Sequence, residues 1–270
     1  MVVHTISLLG KRNENEDEHF YYENLDGRKK GNNINFYGVY DGHGGDKVSK
    51  YLKTKLSSYF IKNKIDYTKQ NGLKKYIKDV YNLIQKKLDI ECRNFSYTVG
   101  STALVGLIAP VNNINMLYLL NLGDCRAVLC RKNNMAVQLT KDHKPNTFEE
   151  KTRIEKLGGK VYYDGYDHRI GNLSVSRSFG DIDSKPYVSH IPDIYKCRLN
   201  NSDKFMVLGC DGLWDELSNQ EVVDFVLSNI NGKLKNEAKM TDNNIAKKLG
   251  EYAIQKGSTD NVSIIIKFFN

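Results

Sequence analysis

The chain has no CxxC pair, and its five cysteines, Cys92, Cys125, Cys130, Cys197 and Cys210, leave one thiol over. That pattern excludes a zinc knuckle, argues against a disulfide framework, and fits reduced thiols in an intracellular protein, cytoplasmic or nuclear. No apolar run approaches the length needed to cross a bilayer, so no membrane role is expected. MVVHTISLLGKR has too short an apolar core for a secretory leader, and its second residue is not the glycine that myristoylation needs.

Clustered positive charge is missing too. The net charge is +8, but KKGNN, KNKIDYTKQNGLKK and NGKLKNEAK interleave Lys with Asn, as solvated loops and helix faces do. Releasing counterions from nucleic-acid phosphates takes clustered cations, so no nucleic-acid partner is expected, whereas an acidic substrate is compatible with the charge. No internal repeat or low-complexity tract stands out beyond the Lys/Asn bias. With 270 residues and 40% hydrophobic content, the chain can bury a full core, and nothing forces a division of residues 1–270 into two domains.

What is present reads as strands alternating with helices. INFYGVY, TALVGLIA, MLYLLNLG, RAVLCR, FMVLG and VSIIIKFF are short apolar or alternating runs of strand length. Val48, Tyr51, Leu52, Leu56, Tyr59 and Phe60 recur at helical spacing, as do Leu73, Tyr76, Ile77, Val80, Tyr81, Ile84 and Leu88. Further helices carry legible ends: FEEKTRIEKLGG stops at glycines, Ser218 and Glu221 form a capping box, and TDNNIAKKLGEYAIQKG closes at Gly257. The interval from about Val161 to Leu199 is too long and aperiodic for a plain connection, which predicts a functional excursion.

Three acids share one placement. Asp41 follows the strand ending at Tyr40, Asp211 follows FMVLGC, and Asp260 stands just ahead of VSIIIKFF. Strand ends hold side chains firmly while leaving them open to solvent. In Asp41-Gly42 and Asp211-Gly212 the glycine lets the backbone turn and expose a carbonyl. Carboxylates and carbonyls are hard donors that select Mg²⁺ or Mn²⁺. Any one Asp-Gly pair is a β-turn signal; several acids beside small-residue turns point further.

In order along the chain, RNENED, FYGVYDGHGG, VGSTALV, NLGDCRAVL, LTKDHKP, RIEKLGGKV, NLSVSRSFGD, LGCDGLWDELSNQEVVDFV and STDNVSIII resemble the metal-dependent type-2C (PPM) family of serine/threonine protein phosphatases. The resemblance runs from about Leu8 to the last strand. It implies an α+β fold, a four-layer α-β-β-α sandwich with two central antiparallel sheets flanked by helices and a flap subdomain at roughly residues 161–199. It also implies a monomeric enzyme that hydrolyses phosphoserine and phosphothreonine in proteins by attack of a water bridging two Mn²⁺ or Mg²⁺ ions. A pseudophosphatase that keeps the fold and acts as a binding module is the alternative.

By the same resemblance, Asp41 bridges the two ions beside the Gly42 carbonyl, Asp211 and Asp260 complete one ion's set, Glu16 is a ligand of the other and Asp17 supports it. A weaker third ion is placed near Asp142. Arg12 offers a fork of donors suited to phosphate oxygens, and His43, titrating in the useful range, can protonate the departing alkoxide. Ser101, Thr102, Asp124, Arg177 and Asp181 read as turn and supporting hydrogen-bond groups, and Trp214 as a core anchor. Cys210 and Cys125 stand where Ser is common in the family and are expected to pack as small apolar groups. Cys125 to Arg131 also matches the Cys-x5-Arg spacing of cysteine-dependent phosphatases, but RAVLCR lacks glycine and reads as a strand.

Overall fold

The computed structural model describes residues 2–24, 34–63, 65–230 and 244–269; KKGNN and NGKLKNEAK lie outside them. Two five-stranded antiparallel sheets form the centre. The first runs Val3–Leu8, Val262–Phe268, Phe205–Gly209, Arg126–Cys130, Ala136–Gln138 across the sheet, and the second Asp193–Arg198, Ile114–Leu122, Ala103–Val111, Asn35–Tyr40, Glu18–Tyr22.

Side-chain alternation along the central strands builds three apolar layers. In Asn35–Tyr40, Phe36 and Tyr40 face the helices Lys47–Lys62 and Gln70–Glu91, while Tyr37 and Val39 face the opposite sheet. In Phe205–Gly209, Phe205 and Val207 face the helices Asn219–Ile230 and Ile245–Lys256, while Met206 and Leu208 meet Tyr37 and Val39 between the sheets. A strand buried on both faces needs an unbroken apolar run, which these sequences supply. Val48, Leu52, Leu56 and Phe60 line the buried stripe of the first helix, each contributing about 1.5–3 kcal/mol by burial. The result is the expected four-layer α-β-β-α sandwich.

Local signals set the helix ends. The Ser218 amide donates to Glu221 Oε2 at 2.8 Å and the Glu221 amide donates to Ser218 Oγ at 3.3 Å, a reciprocal cap. Ile245–Lys256 opens on Asn244, whose side chain accepts from the Lys247 amide, and ends at Gly257 with φ +137°. No helix among the described residues is long and apolar enough to cross a membrane.

The excursion is shorter than the sequence predicts. Asp193–Arg198 leaves it and joins the second sheet as an edge strand against Ile114–Leu122. The preceding stretch holds a small hairpin, Tyr162–Tyr163 against His168–Arg169. Beneath it lies a separate apolar cluster of Ile154, Ile170 and Val188.

Because neighbouring strands are antiparallel, the end of one lies beside the start of the next. Glu18 pairs with Tyr40, Ala103 with Leu122, Arg126 with Gly209, and Gly209 with Ile264. The segments carrying Asp17, Asp41, Asp124, Asp211 and Asp260 therefore emerge at one end of the sandwich.

Candidate active site

At that end the carboxylates of Asp41, Asp124 and Asp211 place oxygens within 4.8 Å of one another, and Asp41 belongs to a second such group with Asp17 and Cys210. Asp41 is fixed by its neighbour strand: its amide donates to Thr102 Oγ1 at 3.1 Å, and the Thr102 amide donates to its carbonyl at 2.8 Å. Gly42 follows where nothing larger fits, since a Cβ there would lie 2.3 Å from the Glu16 carbonyl oxygen. That close approach brings the Glu16 loop against the Asp41 turn.

Asn261 anchors the same loop from the other side. Its side chain accepts from the Glu16 amide at 2.9 Å and donates to the carbonyls of Leu9 and Glu14 at 2.8 and 3.0 Å. Asp260, one residue earlier, accepts from Arg12 at 2.6 Å. Arg12 is open to solvent, with 57% of its side chain exposed.

The acids crowd each other. Burial and the neighbouring Asp211 push the Asp41 carboxyl well above the usual carboxylate range, and burial with Asp124 does the same to Asp211. Burial raises Asp17 to about 6. Asp17 Oδ2 and Asp124 Oδ1 are buried without a hydrogen-bond partner. Such a set of high-energy carboxylates lacks positive charge, and its oxygen donors suit a hard divalent cation. Lys144 supplies part of that charge, its Nζ lying 2.5 Å from Asp124 Oδ2. Burial pulls the Lys144 ammonium down, and Asp124 and Asp211 outweigh it and raise it.

His43 faces the same cleft. Its Nε2 lies 3.0 and 2.8 Å from the two oxygens of Asp181, a side chain only 1% exposed. A three-stranded ribbon holds the pair, with Gly100 opposite both His43 and Gly180. Burial works to lower the His43 pKa, and Asp181 overrides it, leaving the imidazole raised.

The cleft, of about 570 Å³, is lined by Arg12, Glu16, Asp41, Gly42, His43, Asp211 and Asp260, so these sequence-selected residues converge. Asp17 sits buried beside Asp41. Asp142 is not brought in: Arg126 holds both its oxygens, at 3.1 and 2.6 Å, and it lines a neighbouring cleft with His143 and Glu150. Of the two, Asp124 and not Asp142 has its carboxylate in the acid cluster. Asp124 was legible in one respect: like Asp41, it follows directly on a long apolar strand, though its glycine precedes it.

Trp214 is buried, its Nε1 donating to the Gly209 carbonyl at 2.9 Å. Arg177 binds Glu150 and Asp193 away from the acid cluster. Cys125 and Cys210 pack between the sheets. Cys125 and Arg131 flank the five-residue strand Arg126–Cys130, which at ~3.3 Å per residue cannot fold into a phosphate loop.

The chain resembles known proteins over most of its length. A family model described as "Protein phosphatase 2C" matches residues 3–262. A probable protein phosphatase 2C of Arabidopsis thaliana is 34% identical over 265 residues, covering 98% of this chain and 78% of the relative. A PP2C-like domain-containing protein of Acanthamoeba polyphaga mimivirus is 46% identical over 170 residues, 57% of this chain and 94% of that protein. The crystal structure of a serine-threonine phosphatase 2C from Toxoplasma gondii superposes with a TM-score of 0.79 at 24% identity, over 99% of this chain and 94% of that one.

Proposed function

Because the chain belongs to the protein phosphatase 2C family, we propose that it hydrolyses phosphoserine and phosphothreonine in proteins with Mn²⁺ or Mg²⁺ held by Asp41, Gly42, Asp211, Asp260 and Glu16. Asp17 supports this set from behind, and Asp124 takes the role the sequence had given to Asp142. The observation that carries the reading is the convergence of the Asp41, Asp124 and Asp211 oxygens within 4.8 Å. Bound divalent cations supply a lowered pKa for water and neutralise charge on the phosphoryl oxygens, so no covalent enzyme intermediate is needed.

The chain's own groups do the rest. Arg12, exposed at the rim, turns its fork of donors to the phosphate oxygens. Asp181 holds His43 through Nε2 and favours the imidazolium, so Nδ1 carries the proton given to the leaving seryl or threonyl oxygen. The Glu16 loop, pinned by Asn261, keeps its carboxylate on the wall of the same cleft as Asp41. A pseudophosphatase would have no need of this donor set, and its retention supports catalysis.

The test is phosphate release from a phosphothreonine peptide. EDTA is expected to abolish it and thiol alkylation to leave it intact. Loss on alkylation with survival in EDTA would transfer the chemistry to a cysteine.

A further inference from the structure

The loop that carries Lys144 brings its ammonium to the Asp124 and Asp211 members of the acid cluster. Its backbone is fixed: the His143 amide donates to the Gly123 carbonyl at 3.0 Å, the Gly123 amide donates to His143 Nδ1 at 3.1 Å, and the Thr147 amide donates to the Lys144 carbonyl at 3.1 Å. From this base the side chain reaches Asp124 Oδ2 at 2.5 Å and Asp211 Oδ2 at 3.9 Å. Asp124 is 1% exposed and Lys144 23% exposed, so the ammonium comes in from the solvent side and caps a carboxylate that has little other access to water.

Asp124 and Asp211 are also two of the three acids whose oxygens lie within 4.8 Å of one another. A divalent cation held by Asp124 and Asp211 would compete with the Lys144 ammonium for the same two carboxylates, and like charges so close in a poorly solvated site repel strongly. A lysine is a compact charge on a flexible four-carbon stem. It can withdraw to water without moving the backbone that carries it.

We propose that Lys144 is a tethered competitor for the Asp124–Asp211 end of the cluster, holding that position until a divalent cation displaces it. This inference rests on the metal-dependent reading above. The ammonium balances Asp124 Oδ2 when the position holds no metal, leaves Oδ1 open for a cation, and weakens cation binding there relative to the Asp41–Asp260 end. Occupancy of this one position then follows the free cation concentration, while the backbone of the site stays unchanged.

Two measurements test it. In calorimetric titration with Mn²⁺, Lys144→Met is expected to tighten the weakest class of sites by about tenfold, the size of an ordinary coupling between charged sites, while Lys144→Arg stays near wild type. In the unaltered protein, acetylation of Lys144 followed by residue-resolved mass spectrometry is expected to speed up severalfold when Mn²⁺ is added, because the displaced amine enters water. Equal or weaker Mn²⁺ binding by Lys144→Met would overturn the inference alone, as would Lys144 labelling that is unchanged or slowed by Mn²⁺. Wild-type protein that takes up no Mn²⁺ would instead bring down the phosphatase reading beneath it.

Discussion

His43 and Asp181, 138 positions apart in sequence, meet across Gly100 with both Asp181 oxygens within 3.0 Å of the imidazole Nε2. A buried carboxylate that grips one ring nitrogen orients the other and favours the charged ring. Asp181→Asn keeps the shape and removes the charge. Turnover of a phosphothreonine peptide is expected to fall at least tenfold, within the range general acids supply. Turnover of p-nitrophenyl phosphate, whose leaving group needs no proton, is expected to change little. Equal losses on the two substrates would show that Asp181 serves folding rather than proton delivery.

Gly100 is the floor of that pair. A Cβ at this position would stand 2.1 Å from Asp181 Oδ2 and 2.3 Å from His43 Nε2. Gly100→Ala is expected to lower stability by about 1–3 kcal/mol, the usual cost of overpacking, and to reduce peptide turnover in the same sense as Asp181→Asn. Urea unfolding and steady-state kinetics on one preparation check both.

Between the two sheets, Lys267 is paired with Glu23, and Tyr37 donates to the same carboxylate at 2.6 Å. Lys267 has 1% of its side chain exposed. Breaking a buried pair by removing one partner leaves an uncompensated charge, so Glu23→Gln is expected to cost about 3–5 kcal/mol. The double change Glu23→Gln with Lys267→Met is expected to recover part of that loss. Denaturant midpoints of the two variants decide the matter.

Glu150 ties the helix Phe148–Lys156 to the segment after it, accepting from Arg153 at 2.8 Å and from Arg177 at 2.6 Å. Burial works to raise its pKa, but Arg177 and Arg153 outweigh it and hold it at about 2 against an ordinary 4.5. The folded state therefore releases this proton more readily than the unfolded chain. Its stabilisation is full above pH 4.5 and is lost as pH falls toward 2. Thermal melts across that window are expected to show a steeper acid decline for wild type than for Glu150→Gln.

The six strands legible in the sequence are the interior strands of the two large sheets, and the four strands of those sheets that escaped it are the edges: Val3–Leu8, Ala136–Gln138, Glu18–Tyr22 and Asp193–Arg198. Interior strands here are buried on both faces and are mostly apolar, with exceptions such as the paired Lys267. An edge strand keeps one side toward solvent, and HTISL or DIYKCR shows the half-buried pattern that results. Helix caps such as Ser218 with Glu221 were readable because both partners lie within four residues. The His43–Asp181 pair and the Lys144–Asp124 contact have no such local signature. Asp142 was placed by resemblance, and only the fold reveals that Arg126, on the adjoining strand, already claims it.

If Asp41 and its neighbours gather divalent cations to hydrolyse phosphomonoesters, as proposed above, removing Asp41 removes metal-dependent turnover. The most direct measurement is Mn²⁺-dependent phosphate release from a phosphothreonine peptide by wild type and by Asp41→Ala of matched circular dichroism. Wild type is expected to turn over only with Mn²⁺ present, and Asp41→Ala to lose at least a factor of about 10². Comparable release by both proteins, or release by wild type that is indifferent to Mn²⁺, would contradict it.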